Sequence, residues 1–222
     1  MKFFSVTHNS FAIKGYPWVN HVVSGLVQGT ECDVCGVEQL LASGNIEVTL
    51  APRKGTRWPD ILGCGSYPFF IVSDRVLDSW CSEIVSGFSY HKVSITGSIP
   101  PKLLNHNIPT YWWLDGQKMQ GSLLDFERSG YVGVEICSKC GHISYDINAT
   151  YVCQHSLKFP FVLVKHSWNG SDIFTTNLSS TQFFCTEKVL NLAKKYRLTN
   201  FRFLSIEEGL SVEGNGIDYL AD

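Results

Sequence analysis

The residues in this chain best suited to chemistry are four of its eight cysteines, set in two short repeats of one pattern. Cys32 and Cys35 stand in Cys32-Asp33-Val34-Cys35-Gly36, and Cys137 and Cys140 in Cys137-Ser138-Lys139-Cys140-Gly141. A Cys-x-x-Cys turn places two sulfurs on one side of a tight loop. The glycine that follows tolerates a positive φ, which lets backbone N–H groups turn toward the thiolates. Zinc takes four such ligands tetrahedrally at about 2.3 Å, so two pairs complete one closed structural site. Cys32, Cys35, Cys137 and Cys140 are therefore expected to hold one structural Zn2+. The pairs lie much farther apart than in a small zinc finger. Closing a longer loop adds only about 0.6 kcal/mol per doubling of its length, so the site would clamp the N-terminal half to the C-terminal half.

Other ligand sets compete with this one. Cys137, Cys140, Cys153 and His155 have acceptable local zinc spacing, which would leave Cys32 and Cys35 to use Cys64 or His21. A redox role is the weaker reading, since neither pair sits between a clear strand and a helix N-terminus. Cys64, in Gly63-Cys64-Gly65, has no base that can be named beside it, and Cys81 and Cys185 fall at apolar positions that read as core. Four thiolates saturate zinc and leave no position for a reactive water. No phosphate loop, serine nucleophile elbow or HExxH is present. The expectation is a non-enzyme with no small-molecule substrate.

The elements that would carry these turns can be read from period and punctuation. Tyr67 to Val72 is a short run of β-formers, and Phe88 to Ile95 alternates as a strand does. Between them Ser73 can cap a helix through Ile84, with Val76, Leu77, Trp80 and Ile84 at helical spacing and Gly87 as its stop. The order recurs downstream. Asp172-Ile173-Phe174 matches Asp60-Ile61-Leu62, Phe183 to Leu190 matches Phe70 to Leu77, and Phe201 to Ile206 matches Phe88 to Val93. The chain is thus expected to be α+β, with two related strand–helix–strand lobes forming an internal pseudo-repeat joined by a shared four-cysteine zinc-knuckle site. Residues 1–98 would form the N-terminal lobe with the first knuckle. Residues 99–130 would link the lobes and carry Tyr111-Trp112-Trp113, which read as core aromatics first and an interface anchor second. Residues 131–206 would form the C-terminal lobe with the second knuckle, and 207–222 an acidic tail.

Composition narrows the surroundings. Of 222 residues 44% are hydrophobic and 17% charged, enough apolar surface for a packed core. A net charge of −2 argues against nucleic acid as the partner, and Arg53, Lys54 and Arg57 form only a thin basic cluster. No signal-peptide pattern and no apolar run long enough to span a membrane is present, so the expected location is cytoplasmic.

The two Cys-x-x-Cys-Gly knuckles, with the terminal unit Asp172-Ile173-Phe174, Thr186-Glu187-Lys188-Val189 and Leu198-Thr199-Asn200-Phe201-Arg202-Phe203, resemble the double-CxxCG motif family of bacterial proteins, which includes myxobacterial and polymorphic-toxin immunity proteins. The likeness covers most of residues 1–206 and includes Tyr16-Pro17-Trp18 before the first knuckle. It implies a cytosolic immunity protein that binds and neutralises a cognate protein toxin, with the four cysteines as metal ligands and no catalytic residue. The chain departs from the family in a longer tail after Ile206 and a short stretch between Cys35 and Asp60. A zinc-ribbon nucleic-acid-binding or regulatory protein is the alternative reading, and charge weighs against it.

Overall fold

A computed structural model describes residues 1–8, 15–51, 55–64, 69–157, 161–208 and 219–220. Arg53 and Lys54, Tyr67 and Pro68, and most of the expected acidic tail lie outside these. The fold is mixed α+β, with three helices, two large sheets and one small hairpin among the described residues.

The first sheet is built from β2 (Val19–Glu31), β3 (Glu38–Leu50), β4 (Ile61–Leu62), β5 (Ile71–Ser73), β6 (Tyr90–Thr96) and β7 (Tyr111–Leu114), in the order β2-β3-β6-β7-β5-β4. Helix α1 (Asp74–Ser82) joins β5 to β6. The second sheet runs β11-β14-β1-β13-β12-β8, from β1 (Phe3–His8), β8 (Gln120–Ser122), β11 (Val162–Leu163), β12 (Ile173–Thr176), β13 (Phe183–Thr186) and β14 (Phe201–Glu208), with β15 (Tyr219–Leu220) beside β14. Helix α3 (Glu187–Lys195) joins β13 to β14. The small hairpin pairs β9 (Glu135–Ile136) with β10 (Ile143–Ser144) and leads into α2 (Ile147–Ser156).

Sheet membership does not follow the division expected near residue 98. β1 is inserted antiparallel between β13 and β14, far along the chain, and β7 is inserted in the same way between β5 and β6. The two insertions share a register. Phe4 lies opposite Cys185 and Ser205, and Trp112 opposite Val72 and Lys92. The segment expected to link two lobes thus supplies an inner strand, which is why Tyr111 (1% exposed) and Trp113 (4%) are core. The boundary expected at 206 is also crossed, since β14 continues through Glu208 and β15 pairs back onto Arg202 and Phe203.

Helices α1 and α3 share one core. Val76, Leu77 and Trp80 of α1 and Val189, Leu190 and Ala193 of α3 pack with Phe4, Val72, Leu114 and Phe203 from both sheets. Their apolar positions at i, i+3 and i+4 spacing account for this. The rings of Phe70 and Phe183 meet at 5.0 Å within it. Both helices open as read. Ser73 and Thr186 stand at the N-caps in extended conformation, with Asp74 and Glu187 in the first turns. The Ser73 hydroxyl is used elsewhere, donating to Asp60 Oδ1 at 2.9 Å rather than capping. Gly87 does not stop α1: the helix ends at Ser82, and the reversal is made by Ile84 (φ 54), as Arg197 (φ 50) makes it after α3. Gly87 (φ 93) serves the next turn. Cys81, expected in the core, is exposed on α1, whereas Cys185 is wholly buried in β13.

Each helix unit is also tied to the other. The Asp60 carboxylate accepts hydrogen bonds from Thr199 N (2.7 Å) and Thr199 Oγ1 (3.0 Å), and from Arg75 Nη1 at 2.8 Å. The Asp172 carboxylate accepts them from Ser86 N (3.0 Å) and Ser86 Oγ (3.2 Å), and from Lys188 Nζ at 3.0 Å. Arg75 reaches on to the carbonyls of Tyr196 and Arg197, and Lys188 to that of Ile84. Aspartate, base and hydroxyl residue thus form two matched clasps that cross between the units in opposite directions.

Candidate metal centre

Cys32 and Cys35 lie at the tip of the β2–β3 hairpin, and Cys137 and Cys140 at the tip of the β9–β10 hairpin. The turns are alike. Gly36 N donates to Cys32 O at 2.7 Å and Gly141 N to Cys137 O at 2.9 Å. Cys32 N donates to Val37 O at 3.1 Å and Cys137 N to His142 O at 2.8 Å. Both glycines take the left-handed φ expected of them, 68° and 72°.

The two tips meet. Cys32 Sγ lies 3.8 Å from Cys137 Sγ, and Cys35 Sγ 3.5 Å from Cys140 Sγ. All four sulfurs fall within 4.8 Å of one another, and none of the four cysteines forms a disulfide. A tetrahedron with metal–sulfur bonds of about 2.3 Å has edges of about 3.8 Å. Four unbonded sulfurs at that spacing fit a single metal ion. Among the described residues no other group of three or more His, Cys, Asp or Glu side chains is gathered in this way. The competing sets are not assembled. Cys64 donates to Phe69 O at 2.6 Å in a buried position, and His155 Nδ1 is engaged with Tyr151 O at 2.8 Å. His21 and Cys153 also lie apart from the four.

The electrostatics are those of a site that needs a cation. Backbone N–H groups of Cys140 and Lys139 draw the Cys137 thiol down to about 6, and those of Cys35 and Val34 lower Cys32. The outer pair goes the other way. The Val37 N–H lowers Cys35, but desolvation and the neighbouring thiols outweigh it and carry it to about 12. Cys140 is raised as well, its His142 N–H outweighed by desolvation and by Cys137 and Cys32. Two of the four thiols are thus drawn toward the thiolate and two away from it. A divalent ion removes that conflict, and a set of four soft sulfurs selects metals such as zinc or iron over hard cations.

Lys139 Nζ bridges the two knuckles by reaching both oxygens of Asp33 at 2.7 Å. Both side chains are exposed, so the pair aligns the turns more than it stabilises them. Its two residues occupy the variable positions of the motifs, where sequence reading assigns no role. The Asp60 and Asp172 clasps were equally hidden, although the matched Asp-Ile-Leu and Asp-Ile-Phe triplets mark where they are.

A scan against protein-family models and a search of curated proteins each returned no match to this chain. No helix among the described residues is long and apolar enough to cross a membrane.

Proposed function

We propose that this chain is a non-enzymatic binding protein built around one structural zinc ion, and that it acts as an immunity protein that occupies and neutralises a cognate bacterial toxin in the cytoplasm. The observation that carries the first part is the convergence of four cysteines, none in a disulfide, from two matched knuckles. Such a set closes the metal's coordination sphere, so the ion serves the fold and leaves no place for a reacting water. The resemblance to the double-CxxCG family supports the second part, and blocking a toxin by stoichiometric binding requires no catalytic constellation.

We further read the two knuckles, clasps and helix units as the products of an internal duplication. The support is positional. Residue pairs spaced by 113, such as Ser73 with Thr186 and Ile84 with Arg197, occupy the same places in the two sheets and turns. The cysteine pairs that touch are themselves counterparts, 105 residues apart.

The experiment is metal analysis of the purified full chain, combined with tagged recovery from the native host. One zinc per chain is expected, with four more thiols becoming reactive on chelation, and Cys137→Ser should lower zinc retention at least tenfold. Recovery should yield one stoichiometric protein partner whose expression alone kills cells and whose toxicity this chain suppresses. Absence of metal, or an unchanged thiol count, would defeat the metal reading. Recovery of nucleic acid with no protein partner would defeat the immunity reading.

A further inference from the structure

The two sheets differ at one matched place, and a cavity lies there. In the first sheet Trp113 sits opposite Ile71 and His91. Its indole is edge-on to Phe69 at 5.3 Å, lies 5.0 Å from the His91 ring, and donates from Nε1 to Gly44 O at 2.9 Å. In the second sheet the residue inserted at that register is Ser5, opposite Phe184 and Leu204. Leu204 thus stands where His91 does, and Gln182, two residues before Phe184, stands where Phe69 does. An aromatic trio in one sheet is a serine, a leucine and a glutamine in the other. All three line an open cavity of about 940 Å³.

The rest of the wall gives the chemistry of an occupant. Phe70, Phe161 and Phe183 line it, with Tyr131 and Tyr145. Aromatic walls favour a flat aromatic guest by edge and offset contacts. The described residues that line it include no Asp, Glu, Lys or Arg, so they offer a charged guest no counter-charge. Hydrogen bonding is supplied by groups that include Ser5, Gln182 and His8. Burial lowers the pKa of His8, which leaves a neutral imidazole with one donor and one acceptor. The volume falls in the range of about 300–1,000 Å³ usual for small-molecule sites.

We infer that this cavity binds an uncharged planar aromatic molecule over Ser5, in the place that the Trp113 indole fills in the first sheet. The inference rests on the observed register and the cavity, and stands whether or not the protein's partner is a toxin.

The test is titration of the metal-loaded, 15N-labelled full chain with indole, followed by amide shifts and thermal unfolding. Saturable shifts are expected at Ser5, Gln182 and Leu204. Ser5→Trp should supply the missing ring from within, weakening indole binding at least tenfold while keeping or raising the unfolding temperature. Gln182→Phe, at a half-buried position, provides a second blocker should Ser5→Trp not fold. Ser5→Ala, which removes a hydroxyl but fills nothing, should weaken indole binding far less than Ser5→Trp does. The inference is overturned if folded wild-type protein shows no saturable shift up to the solubility of indole, or if the folded blocking variant binds indole as tightly as wild type.

Discussion

Asp172 shows how much one side chain holds in this fold. Its carboxylate collects Ser86 from α1's trailing turn, Lys188 from α3 and the Thr186 hydroxyl. Burial by itself would push the carboxyl up, but the Lys188 ammonium, the Ser86 N–H and Thr186 outweigh it and hold the group below 3.8. A carboxyl lowered in the folded state adds stability that is complete above its unfolded value and is lost as pH falls through the folded one. Asp172→Asn should therefore cost about 1.5–3 kcal/mol at pH 7, the range for hydrogen bonds to a charged group. In urea unfolding the gap between wild type and variant should hold from pH 7 to about 5 and narrow below about pH 4. A gap independent of pH would remove the charge from the explanation. Legibility at this scale was uneven for physical reasons. The cysteines were readable because a site of four thiols that could hold a metal demands a fixed residue type at a fixed spacing. Asp60 and Asp172 were visible only as repeated letters, because the groups they hold lie far along the chain. Ser5, in Phe3-Phe4-Ser5-Val6, has no mark at all, since its meaning is a ring that is missing.

Among elements, the long β2–β3 hairpin decides whether the knuckles meet. Its base is anchored where Ile46 to Thr49 pair with β6, while Leu40 to Ala42 pair only with β2. The change comes at Gly25 and Gly44, both with positive φ (90° and 69°), in a stretch with shifts of register. Gly25 is confined on its open side, where a Cβ would lie 2.5 Å from Asn45 O, whereas Gly44 has nothing within 4 Å. A left-handed non-glycine residue costs about 1–2 kcal/mol. Gly44→Ala should cost about that much, and Gly25→Ala more, because the clash adds to the strain. Gly25→Ala should also weaken zinc retention against a competing chelator, by mis-aiming Cys32 and Cys35. Equal costs for the two variants would show that the hairpin absorbs the clash. Helices α1 and α3 followed sequence pattern closely, because capping and apolar spacing are local, whereas α2 and the β2–β3 hairpin were not read from the sequence. The end of α1 did not follow the pattern, since Ile84 takes a left-handed φ that sequence rules assign to Gly87.

For the whole molecule the decisive feature is that β1 completes a sheet whose neighbouring strands lie far along the chain, whereas β7 follows β6 directly and completes the sheet that precedes it. Nothing in a strand's alternation names its partner, and neighbours in sequence are the usual expectation; this is why the reading found the units and missed how they interlock. It also changes the role of the metal. The halves expected to be clamped by a metal are already joined by the insertion of β1 between β13 and β14 and by the two aspartate clasps. Fragments 1–98 and 99–222 should each lack an inner strand and be largely unfolded alone, and should recover native circular dichroism when mixed. A folded isolated fragment would show that the missing strand is dispensable.

The same insertion sets a timetable for the growing polypeptide. β1 leaves the ribosome well before the strands on either side of it, β13 and β14, which begin at residues 183 and 201. At roughly 5–20 residues per second, Phe3-Phe4-Ser5-Val6 must wait on the order of ten seconds or more before its neighbours exist. During that interval an apolar segment with no sheet to join is available to chaperones and to other nascent chains. The second sheet can therefore close only after β14 has been made.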